Sequence, residues 1–117
     1  MRRTLLIVDD HMTFRSFARA VLEASGFDVV GEAVDGASAI EEARRLNPAV
    51  VLLDVQLPDF DGFEVAERLA ASGAGPAVVL ISSRDASSYR RRLAHSPARG
   101  FIPKSELSGA AVAALVG

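Results

Sequence analysis

Short aliphatic runs alternate with stretches of helical spacing along this chain, and that alternation limits the folds open to it. The runs are Leu5-Leu6-Ile7-Val8, Val29-Val30, Val50-Val51-Leu52-Leu53 and Val78-Val79-Leu80-Ile81, with a weaker one at Gly100-Phe101-Ile102. Unbroken apolar runs of this length suit strands covered on both faces, as in a parallel sheet. Between them, Phe14, Phe17, Ala18, Val21 and Leu22 fall at i, i+3, i+4, i+7 and i+8, one face of a helix. Ile40, Ala43 and Leu46 mark a second helix, and Phe63, Ala66, Leu69 and Ala70 a third. Asp61 with Glu64 three residues later reads as a variant capping box opening the third helix. Asn47-Pro48 stops the second helix, and Gly73 to Pro76 separates the third from the next strand. Asp85 is expected to cap a fourth helix through Leu93, and Ser105 or Ser108 a fifth running to the C-terminus.

A β-α unit repeated five times in this way argues for an open parallel sheet with helices on both faces. Composition agrees with one soluble domain: 117 residues, half of them apolar, 24% charged and a formal net charge of -2. That charge gives no electrostatic case for nucleic-acid binding. The absence of cysteine excludes disulfides and thiolate metal sites and suits a reducing cytoplasm. No apolar run approaches the roughly 20 residues that cross a bilayer. Met1-Arg2-Arg3 followed by Thr4 to Val8 and two aspartates is too short and too soon acidic for a signal peptide.

Open α/β sheets place their sites at the carboxyl ends of strands. Here the first run ends in Asp9-Asp10, the third in Asp54, the fourth in Ser82-Ser83, and the fifth near Lys104. Taken singly, each is an ordinary turn, cap or surface residue. In parallel strands all four sets face one crevice. Clustered carboxylates repel one another, and a hard cation relieves that repulsion. Mg²⁺ takes oxygen ligands and commonly binds one or two carboxylates together with phosphate oxygens. A carboxylate can also act as a nucleophile, giving an aspartyl-phosphate.

With these residues in place, the sequence resembles the receiver domain of two-component response regulators, closest in style to receivers joined to helix-turn-helix output domains. The matching stretches are Leu6-Ile7-Val8-Asp9-Asp10, Val51 through Pro58, Asp61-Gly62, Val79-Leu80-Ile81-Ser82-Ser83 and Gly100-Phe101-Ile102-Pro103-Lys104. The resemblance implies a flavodoxin-like (βα)5 doubly wound sheet with strand order 2-1-3-4-5, and one receiver domain over residues 1–117 with no output domain in this chain. It implies that Asp54 is the phosphoacceptor, served by a sensor histidine kinase or phosphotransfer protein. Asp9, Asp10, Asp54 and the backbone carbonyl of Gln56 would hold Mg²⁺. Lys104 would pair with Asp54 and then with the phosphoryl group, Ser82 would move toward that group, and the Phe101 rotamer would respond. The expected product is a cytoplasmic signalling switch that is not an enzyme beyond its own phosphorylation and dephosphorylation. Its altered surface, the fourth helix, fifth strand and fifth helix, would control a partner or an attached output domain in transcription.

Departures from the family pattern are specific. Ser105, not proline, follows Lys104, so the Lys104–Ser105 peptide is expected to be either trans or an unusual strained cis bond costing about 3–4 kcal/mol. Ser83 stands where alanine is frequent, and Gln56 and Arg84 occupy positions at which receivers tune phosphoryl lifetime, with a plain surface role as the alternative for both. Tyr89 and Leu93, one turn apart beside Arg90-Arg91-Arg92, read as a solvated face or a contact with a partner. After Glu106 no charged side chain remains, so the last helix is expected either to be partly covered by another chain or domain or, being rich in alanine, to expose little through its small side chains. A homodimer would use the surface of the fourth helix, fifth strand and fifth helix, or the first and fifth helices. Three other readings remain: a vestigial receiver acting as a phosphorylation-independent interaction module, a phosphohydrolase of the haloacid dehalogenase kind, and a flavin binder. The second wants Asp-x-Asp where Asp9-Asp10-His11 stands; the third wants a phosphate loop where Asp9-Asp10 would repel it.

Overall fold

Every apolar run becomes a strand in the computed structural model, which describes residues 2–71, 73 and 75–117. The order is β1 (Thr4–Val8), α1 (Met12–Ala24), β2 (Asp28–Ala33), α2 (Gly36–Leu46), β3 (Val50–Asp54), α3 (Gly62–Ala70), β4 (Ala77–Ser82), α4 (Arg90–His95), β5 (Gly100–Pro103) and α5 (Gly109–Val116). The strands pair in the order β2-β1-β3-β4-β5, and every pairing is parallel. This is the expected doubly wound, flavodoxin-like sheet.

Alternation along each strand divides the core. Leu6, Val8, Val51, Leu53, Val78 and Leu80 face the side covered by Ala39 and Ala43 of α2 and by Phe63, Val65, Ala66 and Leu69 of α3. Leu5, Ile7, Val50, Leu52, Val79 and Ile81 face Ala18 and Leu22 of α1 and Val112 of α5. Fully burying one such aliphatic side chain stabilises by about 1.5–3 kcal/mol, so the sheet is fixed from both faces.

Several local expectations change. Phe17 is 51% exposed and so lies outside the buried stripe of α1, while Ala70 is exposed at the end of α3. The reciprocal capping box opens α2: Asp35 accepts from the Ser38 amide and Ser38 answers the Asp35 amide. Asn47 ends that helix in the left-handed region. Asp61 caps α3 through the Glu64 amide, but the Glu64 carboxylate turns outward to Arg68. Of the two candidates for α5, Ser108 is the cap, and Ser105 sits in a 3-10 turn, Lys104–Glu106. The exposed positions of α5 are Ala110, Ala113 and Ala114, whereas Leu115 and Val116 pack partly against the core. Of the Gly73–Pro76 separator, residue 74 lies outside the described residues. No cis peptide bond occurs among the described residues, which settles Lys104–Ser105 as trans.

The fourth helix differs most. Asp85 caps a 3-10 turn, Ala86–Tyr89, and α4 follows with six residues. Tyr89, expected on the surface, is buried between the rings of Phe63 and Phe101, with centroids 5.8 and 5.7 Å away. A 3-10 turn rotates its side chains differently from an α-helix, which turns Tyr89 inward.

Candidate functional site

Parallel strands bring β1, β3 and β5 to a common rim, where their last residues meet. Asp9 continues the β1 ladder through a backbone bond to Ala33 and is fully buried. Asp54, the last residue of β3, is 3% exposed. Lys104, just past β5, places Nζ 2.6 Å from Asp9 Oδ2 and 3.2 Å from Asp54 Oδ2. The same Nζ lies 4.5 Å from the centre of the Phe14 ring, which shields one side of the ion pairs.

The other oxygens are also held. The His11 amide donates to Asp9 Oδ1 at 2.8 Å, and the Gln56 amide donates to Asp54 Oδ1 at 3.1 Å. Arg15 donates to the Asp9 carbonyl at 2.7 Å while its Nε holds Glu32. Gly62 explains why α3 begins where it does. A Cβ there would stand 2.4 Å from the Asp54 carbonyl oxygen and 2.8 Å from Val55 Cα. Only glycine lets the start of α3 press against the backbone that carries Asp54.

Burial pushes the Asp54 carboxyl up to about 6, against the Gln56 amide and Lys104, which favour its ionised form; the charge of Asp9 adds to the rise. Burial pulls Lys104 down, but its bonds to Asp9 and Asp54 outweigh that and leave it above its ordinary value. Lysine is therefore a cation held between two buried carboxylates. Ligand atoms of Asp9, Asp10, His11 and Asp54 all lie within 4.8 Å of one another. The carboxylate oxygens of this set fit a hard divalent cation.

Ser82 and Phe101 lie beside this cluster and form a second group. Ser82 is fully buried at the end of β4, directly after Ile81, the register partner of Asp54. Its hydroxyl is 2.9 Å from the Tyr89 hydroxyl and accepts from the Arg84 amide at 3.1 Å. Phe101 is half-buried against Tyr89. Ser83 and Arg84 are exposed. Thus Lys104 meets Asp9 and Asp54 directly, Asp10 joins them within the same cluster of ligand atoms, and Ser82 and Phe101 are linked through Tyr89. Sequence reasoning missed the roles of Tyr89, His11 and Arg15. The spacing from Ser82 to Tyr89 gives no periodic signal, whereas His11 stood next to the acidic pair.

The response regulator receiver domain family matches residues 5–115. A protein of Pseudomonas aeruginosa named as a transcriptional regulator is 38% identical over 97% of this chain and 56% of its own length. BvgA of Bordetella pertussis, named as a positive transcription regulator of virulence factors, is 37% identical over 91% of this chain and 51% of its own. Among solved structures, the signal receiver domain of the response regulator NarL from Mycobacterium tuberculosis superposes with a TM-score of 0.88 at 32% identity, covering 99% of this chain and 98% of that one. The chain spans about half the length of these two full-length relatives.

Proposed function

This chain belongs to the response regulator receiver domain family, and from that premise we propose that Asp54 accepts a phosphoryl group from a sensor histidine kinase or phosphotransfer protein. One observation carries the assignment: the buried Asp54 carboxylate shares Lys104 with Asp9 inside a single cluster of ligand atoms. Asp9, Asp10, Asp54 and the Gln56 carbonyl would hold Mg²⁺. When bound, that ion supplies charge neutralisation among the carboxylates and a partner for phosphate oxygens.

The chain's own residues do the rest. Lys104 opposes the anionic charge that builds on Asp54, and its tie to Asp9 keeps it in place. The Gln56 amide holds one Asp54 oxygen and so fixes the carboxylate plane. A phosphoryl group adds roughly -1.5 to -2 charge and three acceptor oxygens, for which Ser82 supplies a hydroxyl from the next strand end. Its movement is transmitted to Phe101 and the surface of α4, β5 and α5. Gln56 and Arg84, both exposed, are the residues that set phosphoryl lifetime. The domain catalyses only its own phosphorylation and dephosphorylation.

Among the described residues no helix is long and apolar enough to cross a membrane, and a cytoplasmic setting suits the chemistry. By analogy with relatives that regulate transcription, the partners are a sensor kinase, a DNA-binding output domain beyond residues 1–117, and a second copy through α4-β5-α5 or α1 and α5. Intact-mass measurement with acetyl phosphate and Mg²⁺ tests the acceptor. One phosphoryl mass should appear in the parent and vanish in Asp54→Ala or without metal. Labelling that survives Asp54→Ala would move the acceptor elsewhere.

A further inference from the structure

Tyr89 occupies a place in the switch that neither the sequence pattern nor the phosphoacceptor chemistry requires. It is 7% exposed, its hydroxyl reaches Ser82 Oγ at 2.9 Å, and its ring stands between Phe63 of α3 and Phe101 of β5. Ser82 itself is fully buried. We propose that Tyr89 is a positioning residue that latches Ser82 in the resting state, so that phosphorylation of Asp54 must break the Tyr89–Ser82 bond before the signal leaves the site. The inference rests on Asp54 being the phosphoacceptor.

A hydroxyl has one proton and two lone pairs. One lone pair of Ser82 is taken by the Arg84 amide. The Tyr89 contact engages the hydroxyl a second time and stabilises the rotamer that faces the aromatic pocket. A buried polar group that loses its partner pays the full cost of desolvation, so Ser82 and Tyr89 hold each other. When Ser82 turns to a phosphoryl oxygen, Tyr89 is left with an unpaired buried hydroxyl. Its ring then has reason to leave the position between Phe63 and Phe101. The latch thereby couples three elements: the end of β4, the turn before α4, and β5. Ring pairs at these separations favour tilted packing, and with Phe101 against Tyr89 a shift of Tyr89 alters the space open to Phe101.

Tyr89→Phe keeps the ring and removes only the latch. Beryllium fluoride with Mg²⁺ serves as the probe, since it mimics a phosphoryl group on a carboxylate. Loss of one net hydrogen bond from the resting state should tighten binding of the probe about fivefold. In a Ser82→Ala background, the same Tyr89→Phe change should alter affinity by less than about 1.5-fold, because nothing remains to be latched. Tyr89 is the only tyrosine and the chain has no tryptophan, so intrinsic emission of the parent reports on this ring alone and should change as the probe binds. Unfolding midpoints of the variants are recorded alongside. Unaltered or weakened binding in Tyr89→Phe overturns the latch, even if its midpoint falls, since a packing role alone predicts that pattern. An equal tightening with and without Ser82 also overturns it. A parent chain that takes neither the probe nor acetyl phosphate overturns the phosphoacceptor reading, and the latch falls with it.

Discussion

The two helices that flank β4 are held in opposite ways. Before it, α3 buries Gly62, Phe63, Val65, Ala66 and Leu69 and carries a side-chain cap from Asp61. After it, α4 has no buried residue and no side-chain cap, with only Leu93 packing partly against the core. Sparse apolar contact and solvent-exposed backbone mark segments that open at low free energy. The firmly held side carries Asp54, which must keep its geometry against Lys104 and Asp9. The loosely held side follows Ser82, whose movement would be read out there in the proposed switch. A switch built on one sheet needs both, and here the boundary between them runs along β4.

The largest test of that contrast is Gly62→Ala. The added carbon meets backbone, not a side chain that can swing away, so α3 or the end of β3 must shift. We expect a loss of about 3 kcal/mol in chemical unfolding, together with slower labelling of Asp54. Ala94→Gly on the exposed face of α4 should cost at most about 1 kcal/mol. A greater loss from Ala94→Gly than from Gly62→Ala would reverse the assignment of the two sides.

A smaller effect comes from the charge stored on the firm side. Asp54 titrates near 6 in the folded metal-free protein because burial opposes its ionisation, against an ordinary value of 3.8. A carboxyl raised by folding stabilises fully below its unfolded value, and that contribution is lost as pH climbs through the folded value. Metal-free protein should therefore lose ~2 kcal/mol between about pH 4 and pH 7, followed as the urea midpoint. Asp54→Asn should flatten that slope, and Mg²⁺ should oppose it by favouring the ionised form. A slope unchanged by Asp54→Asn would place the titrating group elsewhere.

The strands and the rim that holds the site are legible in the sequence. Aliphatic runs such as Val50 to Leu53 identified the strands because a two-sided core tolerates no polar residue there. Parallel alternation then collected Asp9, Asp54 and Lys104 at one rim. What escaped was set by tertiary packing. Phe17 has the right spacing for a buried stripe, yet α5 and the sheet leave it outside. Tyr89 sits beside three arginines and reads as surface, but a 3-10 turn carries it inward. The Gly62 contact with the Asp54 backbone depends on the approach of α3 to β3, which no local pattern encodes.

Arg92 gives the finest test, because it is the tie across the boundary. From α4 it reaches Asp61, the cap of α3, at 2.5 Å and lies 4.3 Å from the centre of the Phe63 ring. Burial pushes the Asp61 carboxyl up, but Arg92 and the Glu64 amide outweigh it and hold the group below its usual range. Both partners of the ion pair are near half exposed, so solvent screens the attraction and Arg92→Ala should cost under about 1 kcal/mol overall. Its effect should instead be local. Amide exchange of residues 90–95 should quicken several-fold, while α3 stays protected, because Asp61 still accepts from the Glu64 amide without the guanidinium. If exchange in α3 rises as much as in α4, the two helices open as one unit. The division along β4 would then be a difference in packing without a difference in motion.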